Sequence, residues 1–177
     1  FDNNIIHFGA ATALLGGPLE ETYSRYLFDG LTKNAIISFD PNYRVDLWKN
    51  KEDVFIRKCH PFIEKSHLCK FSLEEAQLLS DKEDLEDACQ IFHEMGTKII
   101  VVTLGGEGTL LSTQKFKKTI PSIKVSPKDT TGAGDAFIGC FLQQIAQYSN
   151  FEDLLTNEKL LTNMVARANK AGAITTE

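Results

Sequence analysis

The alternation of short apolar runs with longer helical patterns limits the folds open to this chain more than any other feature. Apolar runs of strand length occupy four segments, at residues 5–8, 35–40, 66–71 and 98–104. Helical spacing of apolar residues fits six others, at 19–33, 53–65, 73–79, 84–95, 136–148 and 157–173. Strands that alternate with helices predict parallel βαβ units and therefore an α/β fold.

Length and charge narrow the class of protein. With 177 residues, 42% of them apolar, the chain can bury an ordinary core, and we expect one α/β domain over residues 1–177. The net charge is −5 and the basic residues are scattered, which argues against nucleic-acid binding. No stretch reaches the roughly 18 apolar residues that a membrane helix needs. We therefore expect a small-molecule protein of the cytoplasm without a membrane partner, and both chain ends resemble cuts through a larger protein.

Cysteines and histidines do not point to a metal centre. The four cysteines include no CxxC pair and lie in apolar or mixed contexts, which indicates reduced core thiols instead of zinc ligands or disulfides. The four histidines fall in no ligand spacing, and we expect each to be structural or solvated. The residues concerned are Cys59, Cys69, Cys89, Cys140, His7, His60, His67 and His93.

Polar side chains follow the second predicted strand, where ligands gather in parallel sheets. The segment "ISFDPNYR" presents an acid, an amide and a cation together, at Asp40, Asn42 and Arg44. A second interpretation needs no ligand: Asp40 and Asn42 are turn formers, and Arg44 pairs at the surface with Asp40 or Asp46.

The next two strand ends also carry two interpretations each. In "CKFSLEEAQLL", Ser72 and Glu75 have the spacing of a capping box, which is complete without any ligand. In "VVTLGGEGTLL", three glycines after Thr103 suit a ligand loop, but a plain hairpin turn would look much the same.

The segment "DTTGAGDAF", residues 129–137, has the composition of an anion site. Without Cβ atoms at Gly132 and Gly134, successive N–H groups can approach a ligand, and a helix that begins near Ala136 adds its positive end. Asp135 at this helix start stays ionised and can accept a proton from a hydroxyl. A base beside an anion hole suits phosphoryl transfer to an alcohol. The alternative is a glycine-rich loop in which Asp135 only caps the helix.

The sequence lacks two familiar nucleotide-binding motifs. It also contains large apolar residues that we expect to pack in the core. The chain has no GxxxxGK[ST], which excludes a P-loop, and no GxGxxG after the first strand, which argues against a Rossmann-type oxidoreductase. Trp48 is expected to pack instead of stacking on a ligand. Core-facing positions are expected at Phe137, Cys140, Phe141 and Ile145.

Four segments, "FDPNYRVDLW", "KFSLEE", "TLGGEGTLL" and "DTTGAGDAF", resemble in order and interval the ribokinase-like (phosphofructokinase B type) carbohydrate kinases. The resemblance implies a three-layer α-β-α sandwich with a mostly parallel central sheet. This chain looks like its C-terminal, nucleotide-binding part, without the N-terminal sugar-binding part and lid.

Within the family, "DPNYR" followed by "DLW" is most similar to fructokinases. The implied activity is ATP-dependent phosphorylation of a sugar hydroxyl, foremost fructose to fructose 6-phosphate. Ribokinase, 2-keto-3-deoxygluconate kinase and nucleoside kinase remain alternatives, as does a non-catalytic nucleotide- or sugar-sensing relative. The implied small-molecule ligands are a sugar and ATP with Mg²⁺ and in many members K⁺, and the resemblance allows a homodimer.

The resemblance also implies roles for individual residues. Asp135 matches the catalytic base, and the amides around it match the anion hole. Asp129 and the Thr131 carbonyl match a monovalent-cation site, and Glu75 matches an acid that helps hold Mg²⁺ through water. Asn169 matches a position beside the adenine, and Ser72 stands where part of the family has Asn. The anion hole comprises Gly132, Ala133 and Gly134, the loop along the nucleotide comprises Thr103, Gly105, Gly106, Glu107 and Gly108, and the side toward substrate or phosphate comprises Arg44, Asp40 and Asn42.

Overall fold

The computed structural model describes residues 4–148 and 150–177. By its internal contacts the chain divides into two compact units, Phe1–Ile100 and Val101–Glu177, called here the first and the second unit. The expectation of a single domain stays a prediction.

The first unit alternates strands with helices, as the sequence pattern predicts. Its elements are β1 (Ile5–Gly9), α1 (Pro18–Thr32), β2 (Ile36–Asp40), α2 (Val45–Trp48), α3 (Glu52–Lys65), β3 (Leu68–Ser72), α4 (Leu73–Ser80) and α5 (Leu85–Met95), with a short 3-10 helix at Ala13–Leu15. Strand β2 lies between β1 and β3 and is parallel to both. The expected parallel βαβ arrangement is thus present in this unit.

Aromatic side chains fill the core of the first unit. Phe71 of β3 stacks on Phe92 of α5 with ring centroids 4.4 Å apart, and Phe39 of β2 stacks on Phe62 of α3 at 5.2 Å. Trp48 is only 2% exposed and packs against Phe55, so the packing interpretation of Trp48 is confirmed. These contacts hold the ends of β2 and β3 in fixed positions, because buried rings in close contact leave little room for rearrangement.

Strand β4 (Ile99–Thr103) leads from the first unit into the second. The second unit continues with a 3-10 turn at Gly105–Glu107, β5 (Thr109–Thr113), β6 (Lys117–Ile120), α6 (Ala133–Ile145), α7 (Phe151–Leu154) and α8 (Glu158–Thr175). Strands β5 and β6 are antiparallel, and α6 packs along α8. Between Ile120 and Ala133 the chain has no regular structure apart from a short turn.

The structure corrects the sequence-based prediction mainly at the start of α6. We expected this helix near Ala136, but it begins at Ala133, because Gly132 adopts a left-handed conformation (φ 80°) that lets the chain turn into the helix earlier. Asp135 is therefore the third residue of the helix. Strand β6 and the short helices α2 and α7 were not predicted, since four residues are too few to show a period.

Other expectations concern the thiols and the apolar face of α6. All four cysteines are thiols outside any disulfide, and burial raises the pKa of the Cys69 thiol to about 12. Phe137, Phe141 and Ile145 are buried, whereas Cys140 is only half-buried, which corrects its assignment to the core. None of the helices in the described part of the chain is long and apolar enough to span a membrane.

Candidate functional site

In the first unit, the turn after β2 is built on a buried carboxylate. Asp40 is 2% exposed, and its Oδ1 accepts the Asn42 N–H at 3.1 Å. Asn42 has φ 49°, a left-handed conformation that asparagine tolerates better than most residues. The interpretation of Asp40 and Asn42 as turn formers is confirmed, and their contact with a substrate stays a prediction.

The other oxygen of Asp40 is paired with a lysine that the sequence analysis gave no role. The Lys70 Nζ lies 3.0 Å from Asp40 Oδ2, and both side chains are buried. The prediction that Arg44 pairs with Asp40 or Asp46 is wrong. Arg44 is exposed, and its guanidinium donates instead to the Tyr43 carbonyl at 3.3 Å. Position explains the difference: Lys70 lies on β3, the strand paired with β2, whereas Arg44 lies beyond the end of β2 at the exposed start of α2.

Glu75 joins this turn to the start of α4. Its Oε1 accepts the Tyr43 N–H at 2.6 Å and its Oε2 accepts the Ser72 N–H at 2.7 Å. Burial and the charge of Asp40 raise the pKa of Glu75 above its usual value, while Lys70 and the two backbone donors lower it. Glu75 is thus a buried acid that two N–H groups hold in place.

Ser72 completes the capping box, as one of its two interpretations predicts. Its hydroxyl accepts the Glu75 N–H at 3.2 Å while Glu75 accepts the Ser72 N–H. Within residues 4–148 and 150–177, no group of three His, Cys, Asp or Glu side chains could hold a metal ion. The roles of Ser72 toward nucleotide and of Glu75 toward Mg²⁺ stay predictions.

The second unit contains a cavity of about 240 Å³. Apolar side chains and glycines make up most of its wall. The lining residues are Thr103, Gly105, Gly106, Gly108, Thr109, Ser122, Ile123, Val125, Pro127, Thr130, Ala133, Gly134, Phe137, Asn169, Gly172, Ala173 and Thr176. The glycine turn, the start of α6 and Asn169 thus meet at one cavity, although they are far apart in the sequence.

The glycine turn is both a tight connection and a wall of the cavity. The Leu104 N–H donates to the Gly108 carbonyl at 2.8 Å, which closes the turn between β4 and β5. Gly108 has φ 115°, and a Cβ there would overlap the Ile120 carbonyl oxygen and lie 2.8 Å from the Pro121 Cα. Only glycine fits this position. Glu107 lies in the turn but does not line the cavity.

At the start of α6, two backbone donors are available. The Ala133 N–H donates to the Thr130 carbonyl at 3.2 Å, and the first regular helical bond runs from the Ala136 N–H to the Gly132 carbonyl at 2.9 Å. Among the described residues, the N–H groups of Gly134 and Asp135 have no acceptor. Ala133 and Gly134 line the cavity, and the Asp135 side chain is exposed on the same turn. Free donors at a helix N-terminus attract anions.

Asp129 anchors the loop before α6. Its Oδ1 accepts the Thr131 N–H at 2.8 Å, and this hydrogen bond holds the pKa of the Asp129 carboxyl below its usual value. The carboxylate is exposed and stays ionised. Asp129 therefore has a structural role in this loop, and the cation site with the Thr131 carbonyl stays a prediction.

Sequence reasoning missed Lys70 and the irregular wall of the cavity. A lysine between the apolar neighbours Cys69 and Phe71 on a buried strand is itself a signal of a paired charge. The wall formed by Ser122, Ile123 and Val125 gives no such signal, because irregular segments follow no period.

Comparison with known proteins agrees with this geometry. The model of the family described as "pfkB family carbohydrate kinase" matches residues 2–177, and the chain belongs to this family. It is 33% identical over 174 residues to a probable fructokinase-4 of Arabidopsis thaliana, and the match spans 97% of this chain and 52% of that protein. It is 32% identical to fructokinase-1 of Zea mays, with coverage of 97% and 52%. The chain thus spans about half the length of the curated relatives it matches.

Solved structures show the same fold. A fructokinase from Vibrio cholerae O395, in its fructose, ADP and calcium ion bound form, has a TM-score of 0.88 at 28% identity, over 99% of this chain and 56% of that one. Aminoimidazole riboside kinase from Salmonella enterica, complexed with aminoimidazole riboside and an ATP analog, has a TM-score of 0.84 at 26% identity, over 97% and 56%. The predicted ribokinase-like α/β fold is confirmed.

Proposed function

We propose that the intact protein is an ATP-dependent kinase that phosphorylates a sugar hydroxyl, converting fructose to fructose 6-phosphate. One observation carries the proposal: the N–H groups of Gly134 and Asp135 have no acceptor among the described residues, Gly134 lines the cavity, and the Asp135 carboxylate is exposed on the same helical turn. Phosphoryl transfer to an alcohol requires hydrogen-bond donors for the phosphate oxygens and a base for the hydroxyl proton, and this helical turn offers N–H groups and a carboxylate.

In the proposed reaction, Asp135 accepts the proton of the sugar hydroxyl. The sugar oxygen forms a bond to the γ-phosphorus while the bond between that phosphorus and the ADP oxygen breaks. The N–H groups of Gly134 and Asp135 donate to the oxygens of the transferred phosphate. A base of this kind contributes about 10²–10⁴-fold in rate.

Residues of this chain are also proposed to contact two metal ions, Mg²⁺ and K⁺. When bound, Mg²⁺ neutralises charge on the nucleotide phosphates and keeps most of its water. Its proposed protein contact is Glu75, through water, since both Glu75 oxygens already accept backbone N–H groups. For K⁺ the proposed contacts are the Thr131 carbonyl and Asp129, whose Oδ1 also accepts the Thr131 N–H.

The assignment to fructose is supported by relatives named fructokinase, which are about one third identical. Exposed Arg44 is the cation proposed to reach substrate or phosphate, beside Asp40 and Asn42. A riboside is the second candidate substrate, because aminoimidazole riboside kinase shares the fold. Turnover with fructose, ribose, 2-keto-3-deoxygluconate and aminoimidazole riboside, measured on the intact protein, decides among them.

The test of the mechanism is Asp135→Asn in the intact protein. We expect kcat to fall by about 10²–10⁴-fold while the Kd for ATP changes by less than about 3-fold. A matched control is Asp153→Asn, since exposed Asp153 is likewise the third residue of a helix in the second unit. The control removes the same charge and should leave kcat unchanged.

Near-normal kcat in Asp135→Asn would remove Asp135 from the mechanism. ATP binding by the unaltered protein without phosphorylation of any sugar would instead favour the sensing relative. The cytoplasmic location and the homodimer stay predictions.

A further inference from the structure

We propose that the cavity of the second unit holds the nucleotide base without selecting its hydrogen-bonding pattern, and that Asn169 builds the shape of the cavity instead of reading the base. The inference rests on the proposed function, because it takes the cavity to be the nucleotide site. It gives the base specificity of that site: a purine nucleotide with either hydrogen-bonding pattern at its six-membered ring.

The side-chain amide of Asn169 makes three hydrogen bonds within the protein. Asn169 is 6% exposed, and its Nδ2 donates to the carbonyl oxygens of Ile120 at 3.0 Å and of Pro121 at 3.3 Å. Its Oδ1 accepts the hydroxyl proton of fully buried Thr109 at 2.6 Å. An amide has two N–H donors, and both are used.

Three hydrogen bonds also fix the orientation of this amide. Exchanging its nitrogen and oxygen would direct Oδ1 at two carbonyl oxygens, which repel it. Turning the amide toward a ligand would leave Ile120 and Pro121 carbonyls without this donor, and would leave the Thr109 hydroxyl buried without an acceptor. Unpaired buried polar groups are costly, so the amide keeps its partners.

Every other polar side chain that lines the cavity, among the described residues, carries a hydroxyl. They are Thr103, Thr109, Ser122, Thr130 and Thr176. The hydroxyls of Thr109 and Thr176 already donate within the protein, to Asn169 Oδ1 at 2.6 Å and to the Ala173 carbonyl at 2.7 Å. A hydroxyl that can still either donate or accept pairs equally with the amino group of adenine and with the oxo group that replaces it in hypoxanthine.

The remaining wall is suited to contact with the flat faces of a base. Ile123, Val125, Phe137 and Ala173 line the cavity, and Phe137 is only 3% exposed. Apolar contact of this kind is independent of the hydrogen-bonding pattern of the base. Asn169 fixes this wall, because it joins α8 to Thr109 of β5 and to the carbonyls at the end of β6, from which Ser122 and Ile123 follow.

The experiment compares ATP with ITP, which differ in the pattern at the six-membered ring and not in the phosphates. On the intact protein, calorimetry should give Kd values for the two nucleotides within about 5-fold of each other. ATP binding that is tighter than ITP binding by more than about 30-fold would overturn the inference and show that the protein reads the base. Failure to bind either nucleotide would overturn the proposed function as well.

A variant then tests the positioning role. Asn169→Ala should weaken ATP and ITP by the same factor, about 10-fold, because the wall loses its support. Asn163→Ala, at an exposed position of the same helix, is the matched control and should change neither Kd. Selective loss of ATP binding in Asn169→Ala would contradict the inference, since it would show that the amide contacts adenine.

Thr109→Val gives an independent readout. If Thr109 and Asn169 act as one support, the double variant should bind ATP no more weakly than Asn169→Ala alone. If the two substitutions raise the Kd for ATP independently, so that the factor in the double variant is the product of the two single factors, the shared role is contradicted.

Discussion

The two units differ in whether the polar groups of their candidate site residues already have hydrogen-bond or ion-pair partners. In the first unit, Asp40, Lys70 and Glu75 are buried and satisfy one another or nearby backbone donors. In the second unit, the N–H groups of Gly134 and Asp135 have no acceptor in the described chain, and the Asp135 carboxylate is exposed. The difference teaches that polar residues at a strand end are not by themselves evidence of binding, because a satisfied cluster stabilises the turn that it occupies.

The largest expected effect concerns the buried polar residues of the first unit, Asp40, Lys70 and Glu75. Lys70→Met removes the ammonium beside buried Asp40, and we expect the free energy of unfolding to fall by about 3–5 kcal/mol, because an uncompensated charge is left in the interior. Urea unfolding of the intact protein measures this loss.

The control for Lys70 is a lysine in an exposed ion pair. Lys118 lies 3.1 Å from Glu158, and both side chains are about half exposed. Lys118→Met should cost about 0–1 kcal/mol. Equal losses in the two variants would show that the Asp40 pair is no more structural than a surface contact.

A smaller effect is expected at the glycine turn of the second unit. Gly108→Ala forces an alanine into the left-handed conformation, which should lower the free energy of unfolding by about 1–3 kcal/mol. The new Cβ would also overlap the Ile120 carbonyl oxygen. We also expect a raised KM for ATP, since Gly108 lines the cavity. Gly106→Ala is the control, because a Cβ at Gly106 meets no atom within 4 Å. Thermal unfolding that does not separate the two variants would refute the strain argument.

The smallest expected effect tests whether Ser72 of the first unit only caps a helix or also binds the nucleotide. Ser72→Ala removes the cap of α4 and should cost about 1 kcal/mol, whereas Ser72→Asn keeps an acceptor and should cost little. If Ser72 only caps the helix, the KM for ATP is unchanged in both variants. A raised KM in a well-folded Ser72→Ala protein would instead assign Ser72 to the nucleotide, as the family resemblance implies.

Much of the fold was predictable because long apolar periods are local. Helices α1, α3, α4 and α5 lie within one residue of their predicted ends, since each buries one face over eight or more residues. The start of α6 was misplaced by three residues. Its position depends on the left-handed conformation of Gly132, which composition allows but does not require.

The sequence by itself determined the α/β class, the family and the segment that carries Asp135, because these depend on period, order and spacing. Only the tertiary structure decided which polar groups are already used. It paired Asp40 with Lys70 instead of Arg44, and it hydrogen-bonded the Asn169 amide to the carbonyls of Ile120 and Pro121. A hydrogen bond joins atoms that lie close in space, and the partners of Asn169 are about 50 residues away along the chain.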